Sequence, residues 1–336
     1  MRNLSDIDIV VLTYKGDPLL RDCLDSLWRT CGGEPHVIVV DNSPSPATRE
    51  LVAKYSGAFY LESFGDPGFA GGNNRAMPYC TRPYTLLLNN DTVIHDRASI
   101  EELASFLDSH PACTAAQGTM RIDHLGGVLG GCGSYLTGLG VLYTVGWLVD
   151  DCPEARVAQP RFAVSGAFFL FRRNAIDAAG GFLFHNRFHS YYEEVDFCHR
   201  IWLSGGEVWF VPTSPIDHVT SATFSLESRP VVLRRYYRNI LFSLGTCLGA
   251  WSRFWIVPRV KALVFGQALV KRLRGNRDAA EAGFGALRDA REARSDIREM
   301  RRRIQACRRV SDRALFRIVR KRMPIGYLLR SVRGKG

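Results

Sequence analysis

Two short apolar runs in this chain each end abruptly in polar residues that include an aspartate. Residues 84–92 read YTLLLNNDT, and residues 36–43 read HVIVVDNS. Each run has the length of a buried strand, and a buried carboxylate costs free energy unless it has a partner. Ligands of open α/β sheets bind at the carboxyl ends of strands. Asp41 and Asp91 therefore predict one site, with one carboxylate for a nucleotide and the other for a metal ion on its phosphates.

Strand-like and helix-like segments alternate along the first third of the chain. Residues 7–13 and 36–40 are apolar runs of strand length, and residues 59–61 form a third, shorter one. Apolar residues recur at helical spacing over 19–27, and Pro46 stands where a second helix can begin. This alternation predicts an α/β fold with a mixed, mostly parallel sheet flanked by helices on both faces.

A glycine-rich segment lies between the two aspartate-tipped strands. Residues 65–76 read GDPGFAGGNNRA. Glycine lets the backbone approach a ligand closely, and a helix is expected to begin near Gly72 or Asn73. Alone the segment fits an ordinary turn, but its place between the two strands favours one wall of a nucleotide site.

Composition restricts the class of protein and its compartment. The chain has 336 residues, 46% of them hydrophobic, which suits one large or two smaller globular domains. Nine scattered cysteines without a CxxC pair do not form a disulfide framework, which predicts reduced thiols and a cytoplasmic location. Neither a signal peptide nor a clean spanning helix is expected. The most apolar candidate, residues 239–257 ending at Pro258, contains two glycines and an arginine and fits an interfacial or core segment.

Positive charge is concentrated at the carboxyl end. Residues 259–336 contain 23 basic and 7 acidic residues, whereas the preceding 258 residues contain 21 basic and 26 acidic ones. Residues 278–322 predict one long polar helix. Its sparse apolar stripe consists of Ile297, Met300, Ile304 and Cys307.

This basic helical region, residues 231–336, has three interpretations. It can lie on an anionic membrane, where the aromatic rings of residues 251, 254 and 255 could insert at the interface. It can form a homo-oligomer through the apolar stripe. It can bind nucleic acid, but no aromatic reader motif accompanies it. We favour peripheral contact with the inner face of the cell membrane and no nucleic-acid partner. An arginine cluster at 234, 235 and 238, with Asn239, fits either a diphosphate site or a charged helix face.

An acidic cluster stands at the expected start of another helix. Residues 189–200 read HSYYEEVDFCHR, and the helix dipole favours the carboxylates of Glu193, Glu194 and Asp196 at this position. The aromatic residues around them indicate a partly enclosed cleft. His218 follows the next expected strand.

Eight motifs, in this order, resemble one family: VVLTY, VVDNS, GFAGGNN, LLLNND, VSGAFFLFRR, GGF, YYEEVDFCHR and DHVTSA. Together they are similar to the inverting glycosyltransferases of family 2, which have a GT-A fold, and within them to the rhamnosyltransferase-like branch. The similarity covers roughly residues 7–240. It implies a catalytic domain over residues 1–230, followed by the basic helical region.

The resemblance also implies roles for individual residues. The positions implied to bind the nucleotide sugar are Thr13, Tyr14, Asp41, Asn42, Gly71, Asn73, Asn74, Asn89, Asn90 and Asp91. Asp91 and His218 would hold a divalent cation, Mg²⁺ or Mn²⁺. The expected catalytic base falls at Glu194, where the family usually has aspartate. Because glutamate is one methylene longer, Glu193 and Asp196 are alternative bases.

The implied function is metal-dependent, inverting transfer of a sugar, with rhamnose from dTDP-rhamnose as the favoured donor. The acceptor would be a glycan or a polyprenyl-linked saccharide in the synthesis of bacterial surface polysaccharide. The glutamate at 194 leaves open a second hypothesis, a catalytically silent sugar-nucleotide-binding or scaffold subunit of an assembly complex. A nucleotidyltransferase ranks last, because residues 13–18 are a poor phosphate-binding loop.

Overall fold

The computed structural model describes residues 4–15, 18–32, 35–219, 228–322 and 324. Its strands are β1 (Ile7–Thr13), β2 (Val37–Asp41), β3 (Phe59–Glu62), β4 (Tyr84–Asn89), β5 (Thr92–Ile94), β6 (Cys113–Gln117), β7 (Met120–Ile122), β8 (Val128–Leu129), β9 (Ser134–Leu136), β10 (Leu142–Thr144), β11 (Gln159–Pro160), β12 (Phe168–Arg172), β13 (Glu207–Phe210) and β14 (Ile216–His218). Its α-helices are α1 (Leu19–Cys31), α2 (Pro46–Val52), α3 (Gly68–Ala76), α4 (Ala98–Ser109), α5 (Ala175–Ala178), α6 (Glu193–Ser204), α7 (Arg229–Cys247), α8 (Ala250–Leu273), α9 (Arg277–Glu292), α10 (Arg294–Ala306) and α11 (Asp312–Val319).

The main sheet has eight strands in the order β11-β13-β6-β12-β4-β1-β2-β3. Strands β1, β2, β3 and β4 are parallel to one another, and β6 pairs in parallel with β13. Strand β12 runs antiparallel between β4 and β6, and β11 is antiparallel at the edge. The mixed, mostly parallel sheet predicted from the sequence is therefore confirmed.

Successive residues of the central strands enter two different cores. Ile9 and Leu86 belong to a hydrophobic cluster that includes α1 and α4, whereas Val10 and Leu87 belong to one that includes α3 and α6. This follows from the period of two along a strand. Because both faces need an apolar cover, these strands are apolar at nearly every position, and helices lie on both faces as expected.

The helices after residue 228 pack on the second of these cores. Ile240, Leu244, Val260, Ile304 and Leu315 belong to the same cluster as Val10 and residues of α6. Residues on both sides of the predicted division at residue 230 therefore share one hydrophobic core.

The single long helix predicted for residues 278–322 is wrong, because three helices, α9, α10 and α11, occupy that segment. The Oγ of Ser311 accepts a hydrogen bond from the backbone N–H of Ala314 and caps the start of α11. Arg308 bonds both Asp312 and the carbonyl of Cys247, which fixes this turn against α7. These tertiary contacts override helix propensity.

The sequence suggested that the apolar segment before Pro258 ends at this proline, but the helix continues past it. Pro258 lies inside α8, which continues to Leu273. A helix-interior proline leaves the carbonyl four residues earlier without its usual donor. Pro258 and Phe254 are both exposed, so water can satisfy that carbonyl. Within the described residues, no helix is both long enough and apolar enough to cross a bilayer.

The apolar stripe proposed for oligomerisation is used within the chain. Ile304 is buried, and Ile297 and Met300 pack against the same core. All nine cysteines are free thiols, as predicted.

Candidate active site

A cavity of about 520 Å³ opens at the carboxyl ends of β1 and β4, beside the start of α6. Nine residues predicted from the sequence line it. They are Thr13, Tyr14, Asn42, Asn89, Asn90, Asp91, Glu193, Glu194 and His218. The sheet order explains the convergence, since β1 lies between β2 and β4, with Thr13 paired to Asp41 and Leu12 to Asn89.

Asp91 and His218 face each other in this cavity. His218 ends β14, which pairs antiparallel with β5 and places His218 opposite Thr92, the residue after Asp91. The backbone N–H of Val219 donates to the carbonyl of Asp91, which ties the two segments together. As a result, the Nε2 of His218 lies 3.2 Å from the Oδ1 of Asp91. A small second sheet thus brings together two residues 127 positions apart in sequence.

This pair fits a divalent cation. The Oδ1 of Asp91 is buried and has no hydrogen-bond partner, although the imidazole of His218 is close to it. A carboxylate oxygen and an imidazole nitrogen are both atoms that divalent cations bind in proteins. These two atoms lie 3.2 Å apart in the wall of the cavity. Within the described residues, no group of three or more His, Cys, Asp or Glu side chains could hold a metal.

Glu193 and Glu194 begin α6 and both face the cavity. Burial raises the pKa of Glu194 to about 7, although backbone N–H groups at the helix start partly oppose the shift. Burial and the neighbouring carboxyl of Glu194 together raise the pKa of Glu193 well above its ordinary value. The Oε2 of Glu193 is buried without a hydrogen-bond partner. Near neutral pH, Glu194 can therefore exchange a proton, whereas burial beside Glu194 favours the protonated form of Glu193.

The loop before these carboxylates has an unusual backbone. His189, Tyr191 and Tyr192 have φ angles of +61°, +72° and +76°. Left-handed conformations are costly for residues with a Cβ, and they persist only where surrounding contacts impose them. The direction in which the side chains of Glu193 and Glu194 point therefore depends on the contacts that hold this loop.

Two neighbouring elements hold the loop in place. From α3, the backbone N–H of Ala70 donates to the carbonyl of His189, and that of Phe69 donates to the Oγ of Ser190. From α7, the fully buried side chain of Asn239 supplies its amide. Its Nδ2 lies within hydrogen-bond distance of the carbonyls of Phe188, Ser190 and Tyr191.

Asp41 lies at the predicted strand end but not among the residues that line the cavity. Its Oδ2 accepts from the hydroxyl of Tyr60 and its Oδ1 from the backbone N–H of Ser43, both at 2.9 Å. The next residue, Asn42, lines the cavity and donates to the carbonyl of Gly68. Asp41 therefore fixes the turn that presents Asn42.

The glycine-rich segment lines the cavity with other residues than those expected. Helix α3 begins at Gly68, earlier than predicted, and Gly68 and Phe69 line the cavity. A Cβ on Gly68 would lie 2.4 Å from His189, so only glycine permits this approach. The cavity-lining residues do not include Gly71, Asn73 or Asn74.

The two asparagines of this segment have contacts within the fold. The Nδ2 of Asn73 donates to the carbonyl of Phe69. The side chain of Asn74 exchanges two hydrogen bonds with the backbone of Phe184 and donates to the Oδ1 of Asn186. Asn74 thus holds the chain that leads into the 189–192 loop.

Asp196, an alternative base, also lies outside the cavity wall. It is buried, and its Oδ2 accepts from the Nε of Arg200 at 2.8 Å. The guanidinium of Arg200 also bonds the carbonyls of Ala179, Phe182 and Leu183. This pair connects α6 to the preceding loop. Of the three carboxylates at the start of α6, only those of Glu193 and Glu194 therefore face the cavity.

Several lining residues were not predicted as site residues. Ser165, Gly166 and Ala167 form the break before β12, and a Cβ on Gly166 would lie 3.7 Å from the Cβ of Glu194. The Ser-Gly interruption of an apolar run was the available signal. His189 and Trp147 carried no such signal, because their approach to the cavity depends on loop conformation. Residues 220–222 of the DHVTSA motif lie outside the described residues.

Comparison with known proteins was made by sequence and by structure. A model described as glycosyl transferase family 2 matches residues 8–128, and one described as glycosyl transferase family group 2 matches residues 84–273. The low-salt glycan biosynthesis hexosyltransferase Agl10 of Haloferax volcanii is 25% identical over 202 residues. That match covers 59% of this chain and 62% of the relative.

Solved structures share the architecture at low identity. A mannosyltransferase from Pyrobaculum calidifontis, in complex with GDP-Man and Mn²⁺, has a TM-score of 0.54 at 14% identity and covers 86% of this chain and 88% of its own. Residues 1–349 of TarS from S. aureus, in complex with UDP-GlcNAc, have a TM-score of 0.56 at 15% identity. That match covers 90% of this chain and 89% of the TarS chain. These similarities confirm the predicted GT-A fold.

Proposed function

Because this chain belongs to glycosyl transferase family group 2, we propose that it is an inverting, metal-dependent glycosyltransferase. It moves a hexose from a nucleotide sugar to a hydroxyl of a glycan or a lipid-linked saccharide. The observation that carries the proposal is that Asp91, His218 and Glu194 line one cavity at the carboxyl edge of the sheet. The cavity offers both cation ligands and a carboxylate that titrates near neutral pH.

The nucleotide part of the donor lies against Thr13, Tyr14, Asn42 and Asn90. Thr13 ends β1, the other three follow β1, β2 and β4, and all four line the cavity. Asn90 is held by a 3.3 Å contact between its Nδ2 and the Oγ1 of Thr13. The family resemblance implied that Asp41 contacts the base or ribose directly. Its buried contacts indicate instead that Asp41 orients Asn42.

Asp91 and His218 would hold the divalent cation. The structure of the mannosyltransferase from P. calidifontis contains Mn²⁺, and a donor set with an imidazole nitrogen suits Mn²⁺ better than Mg²⁺. When bound, such a cation neutralises the charge that develops on the leaving diphosphate. Asn89 stands where the family usually has a second aspartate, so the pair supplies a single carboxylate to the cation.

Glu194 acts as the general base. The acceptor hydroxyl attacks the anomeric carbon from the side opposite the diphosphate, and its proton passes to the carboxylate of Glu194. The new C–O bond forms as the bond to the diphosphate oxygen breaks, so the anomeric configuration inverts. A positioned base typically contributes about 10²–10⁴-fold to rate. The place of Glu194 in the cavity wall, with a pKa of about 7, supports transfer over the silent-subunit hypothesis.

The donor proposed here is dTDP-rhamnose, for transfer in surface polysaccharide synthesis. Its support is the motif resemblance to the rhamnosyltransferase-like branch. The similar proteins named above bind GDP-Man and UDP-GlcNAc, so these two are the competing donors. A thermal-shift screen of the three nucleotide sugars with and without Mn²⁺ tests the proposal. The expected result is stabilisation by dTDP-rhamnose that requires the cation, and no cation-dependent stabilisation by any of the three would contradict it.

We also propose that α8 touches an anionic membrane surface. Its inner stripe, at Ile256 and Val260, is buried, whereas Trp251, Phe254 and Trp255 are 74%, 65% and 44% exposed. Their rings contact one another, with centroids 5.0–5.7 Å apart. Exposed arginines and lysines accompany them on the same helix. They are Arg253, Arg259, Lys261 and Arg272. Aromatic rings beside basic groups suit the interface of an anionic bilayer.

A further inference from the structure

Trp147 is an exposed aromatic side chain in the wall of the active-site cavity. It lines the same cavity as Glu194 and His218, and 37% of it is exposed. An indole ring in contact with water leaves a large apolar surface uncovered. Small-molecule sites commonly combine aromatic walls of this kind with a few placed polar groups. A ligand that covers the ring would therefore be stabilised.

The backbone that carries Trp147 is held by hydrogen bonds. Residues 145–149 run beside residues 129–133 and share four backbone hydrogen bonds with them. Within this pairing, Trp147 lies opposite Gly130. Gly131 has a φ angle of +94°, and a Cβ there would lie 3.5 Å from the Cε3 of the indole. The ring therefore lies close against a fixed stretch of backbone.

Gln117 anchors this support to the main sheet. Its side chain is buried at the carboxyl end of β6. The Nε2 of Gln117 donates to the carbonyl of Gly131, and the Oε1 accepts from the backbone N–H of Ser165, both at 2.8 Å. Ser165 itself lines the cavity. One buried amide thus joins the support of Trp147 to the cavity wall at the end of β6.

The order of strands places this anchor away from the residues proposed to bind the nucleotide. Along the carboxyl edge, β12 and β4 separate β6 from β1, and β2 lies beyond β1. Because neighbouring strands are about 4.8 Å apart, the end of β6 lies about 14 Å to the side of β1. Between them come Asp91, after β4, and Gly166, before β12. A Cβ on Gly166 would lie 3.7 Å from the Cβ of Glu194. The edge therefore presents, in order, the nucleotide residues, the cation pair, the proposed base and Trp147.

We infer that Trp147 binds the sugar ring of a saccharide acceptor, with the indole packed against the C–H groups on one face of that ring. The inference rests on the proposed glycosyl transfer, in which the acceptor hydroxyl attacks from the side opposite the diphosphate. Along the edge of the sheet, that side is the one beyond Glu194, where Trp147 is anchored. A pyranose ring has hydroxyls around its rim, so it can cover an aromatic ring while these groups keep polar partners. The competing ring is the nucleobase of the donor.

The test is saturation-transfer NMR of the full chain with the methyl glycosides of glucose, galactose, mannose, rhamnose and N-acetylglucosamine. Each glycoside is titrated alone and with Mn²⁺ plus dTDP, GDP or UDP. Wild type is expected to transfer saturation to the ring protons of at least one glycoside. Trp147→Ala should raise the Kd of that glycoside at least about fivefold, and Trp147→Phe should restore most of the affinity. The matched control is Trp251→Ala, which removes an indole that is exposed on α8 outside the cavity lining.

Calorimetry with the same nucleoside diphosphates and Mn²⁺ separates an acceptor contact from a nucleobase contact. Trp147→Ala should leave the Kd of the nucleotide within about twofold of wild type. A loss as large as that for the glycoside would assign the ring to the donor and overturn the inference. So would the absence of glycoside binding to wild type, or equal glycoside affinity in wild type and Trp147→Ala. Neither readout requires turnover, so a protein that binds glycosides through Trp147 but transfers no sugar would contradict the proposed function alone.

Discussion

The side-chain amide of Asn239 lies 2.6 Å from the backbone carbonyl of Tyr191, two residues before Glu193. A buried residue of α7 thereby holds a left-handed segment in the conformation that directs Glu193 and Glu194 into the cavity. The Oδ1 of Asn239 accepts from the Nε of Arg238 at 2.9 Å, which fixes the orientation of the amide. The basic helical region thus contributes directly to the geometry of the active site.

Replacing Asn239 by alanine should lower kcat more than it changes the KM for the donor. The carbonyls of Phe188, Ser190 and Tyr191 lose their buried donor, and the strained loop can relax. A displacement of about 1 Å at a catalytic group can cost about 10²-fold in rate. We expect a loss of kcat of about that size, measured by steady-state kinetics, together with a lower Tm.

The matched control for this prediction is Ser243→Ala, one turn further along α7. Ser243 is also fully buried, and its Oγ makes no hydrogen bond to the 189–192 loop. Its removal should leave kcat within about twofold, since no bond to the loop is lost. Equal losses in the two variants would show that α7 acts only through stability.

The activity should depend on the ionisation of Glu194. Because burial raises its pKa to about 7, and a general base must be ionised, kcat/KM should rise with pH and level off above about 7. Glu194→Gln should lose about 10²–10⁴-fold and abolish this ascending limb. Glu193→Gln should retain it, because burial beside Glu194 favours the neutral form of Glu193, which glutamine resembles. If Glu193→Gln removed the limb instead, Glu193 would be the base.

The same shift predicts a pH dependence of stability. The folded state keeps Glu194 protonated up to about pH 7, whereas the unfolded chain releases the proton near its ordinary pKa of 4.5. The contribution of this group to stability therefore falls as pH rises between these two values. The Tm of Glu194→Gln minus that of wild type should grow over this interval. A constant difference would argue against the raised pKa.

Removal of the cation ligands should be separable from damage to the fold. Asp91→Ala is expected to abolish cation-dependent activity, and His218→Ala to raise the half-saturating Mn²⁺ concentration by at least about tenfold. The matched control is His95→Ala, since His95 pairs with Asp217 and lies outside the cavity lining. Unchanged Mn²⁺ dependence in His218→Ala would remove this histidine from the proposed cation site.

Membrane contact through α8 should depend on the exposed aromatic rings. Replacing Trp251, Phe254 and Trp255 together by serine should reduce co-sedimentation with vesicles that contain phosphatidylglycerol. These side chains are exposed, so the Tm should change little. Substitution is preferable to truncation, because the helices after α8 share the core with α6. Equal sedimentation of the variant and wild type would reject the aromatic contact.

The sequence predicted the parts of the site that depend on local pattern. The sequence predicted that Asp41 and Asp91 converge, because parallel strands end at the same edge of a sheet. Asp91 does line the cavity, whereas Asn42 lines it in place of its neighbour Asp41. The carboxylates of Glu193 and Glu194 were marked by their place at the start of a helix. The mostly parallel sheet followed in the same way from the alternation of strands and helices.

The remaining features depend on contacts between distant residues. No local sequence pattern shows that Asn239 donates a hydrogen bond to the carbonyl of Tyr191, or that Asp196 forms an ion pair with Arg200. The left-handed φ angles of His189, Tyr191 and Tyr192 leave no sequence signal, because none of these residues is a glycine. The break between α10 and α11 arises from the cap at Ser311 and from packing on α7, which propensity over a long polar segment does not predict.

The most direct test of the account is release of nucleoside diphosphate from dTDP-rhamnose, GDP-mannose and UDP-GlcNAc, measured with Mn²⁺ or with EDTA. The account predicts release from one donor by wild type, loss of release in EDTA and in Asp91→Ala, and a rate in Glu194→Gln lower by at least about 10²-fold. Full activity of Asp91→Ala in EDTA, or the absence of release from every donor, would contradict it.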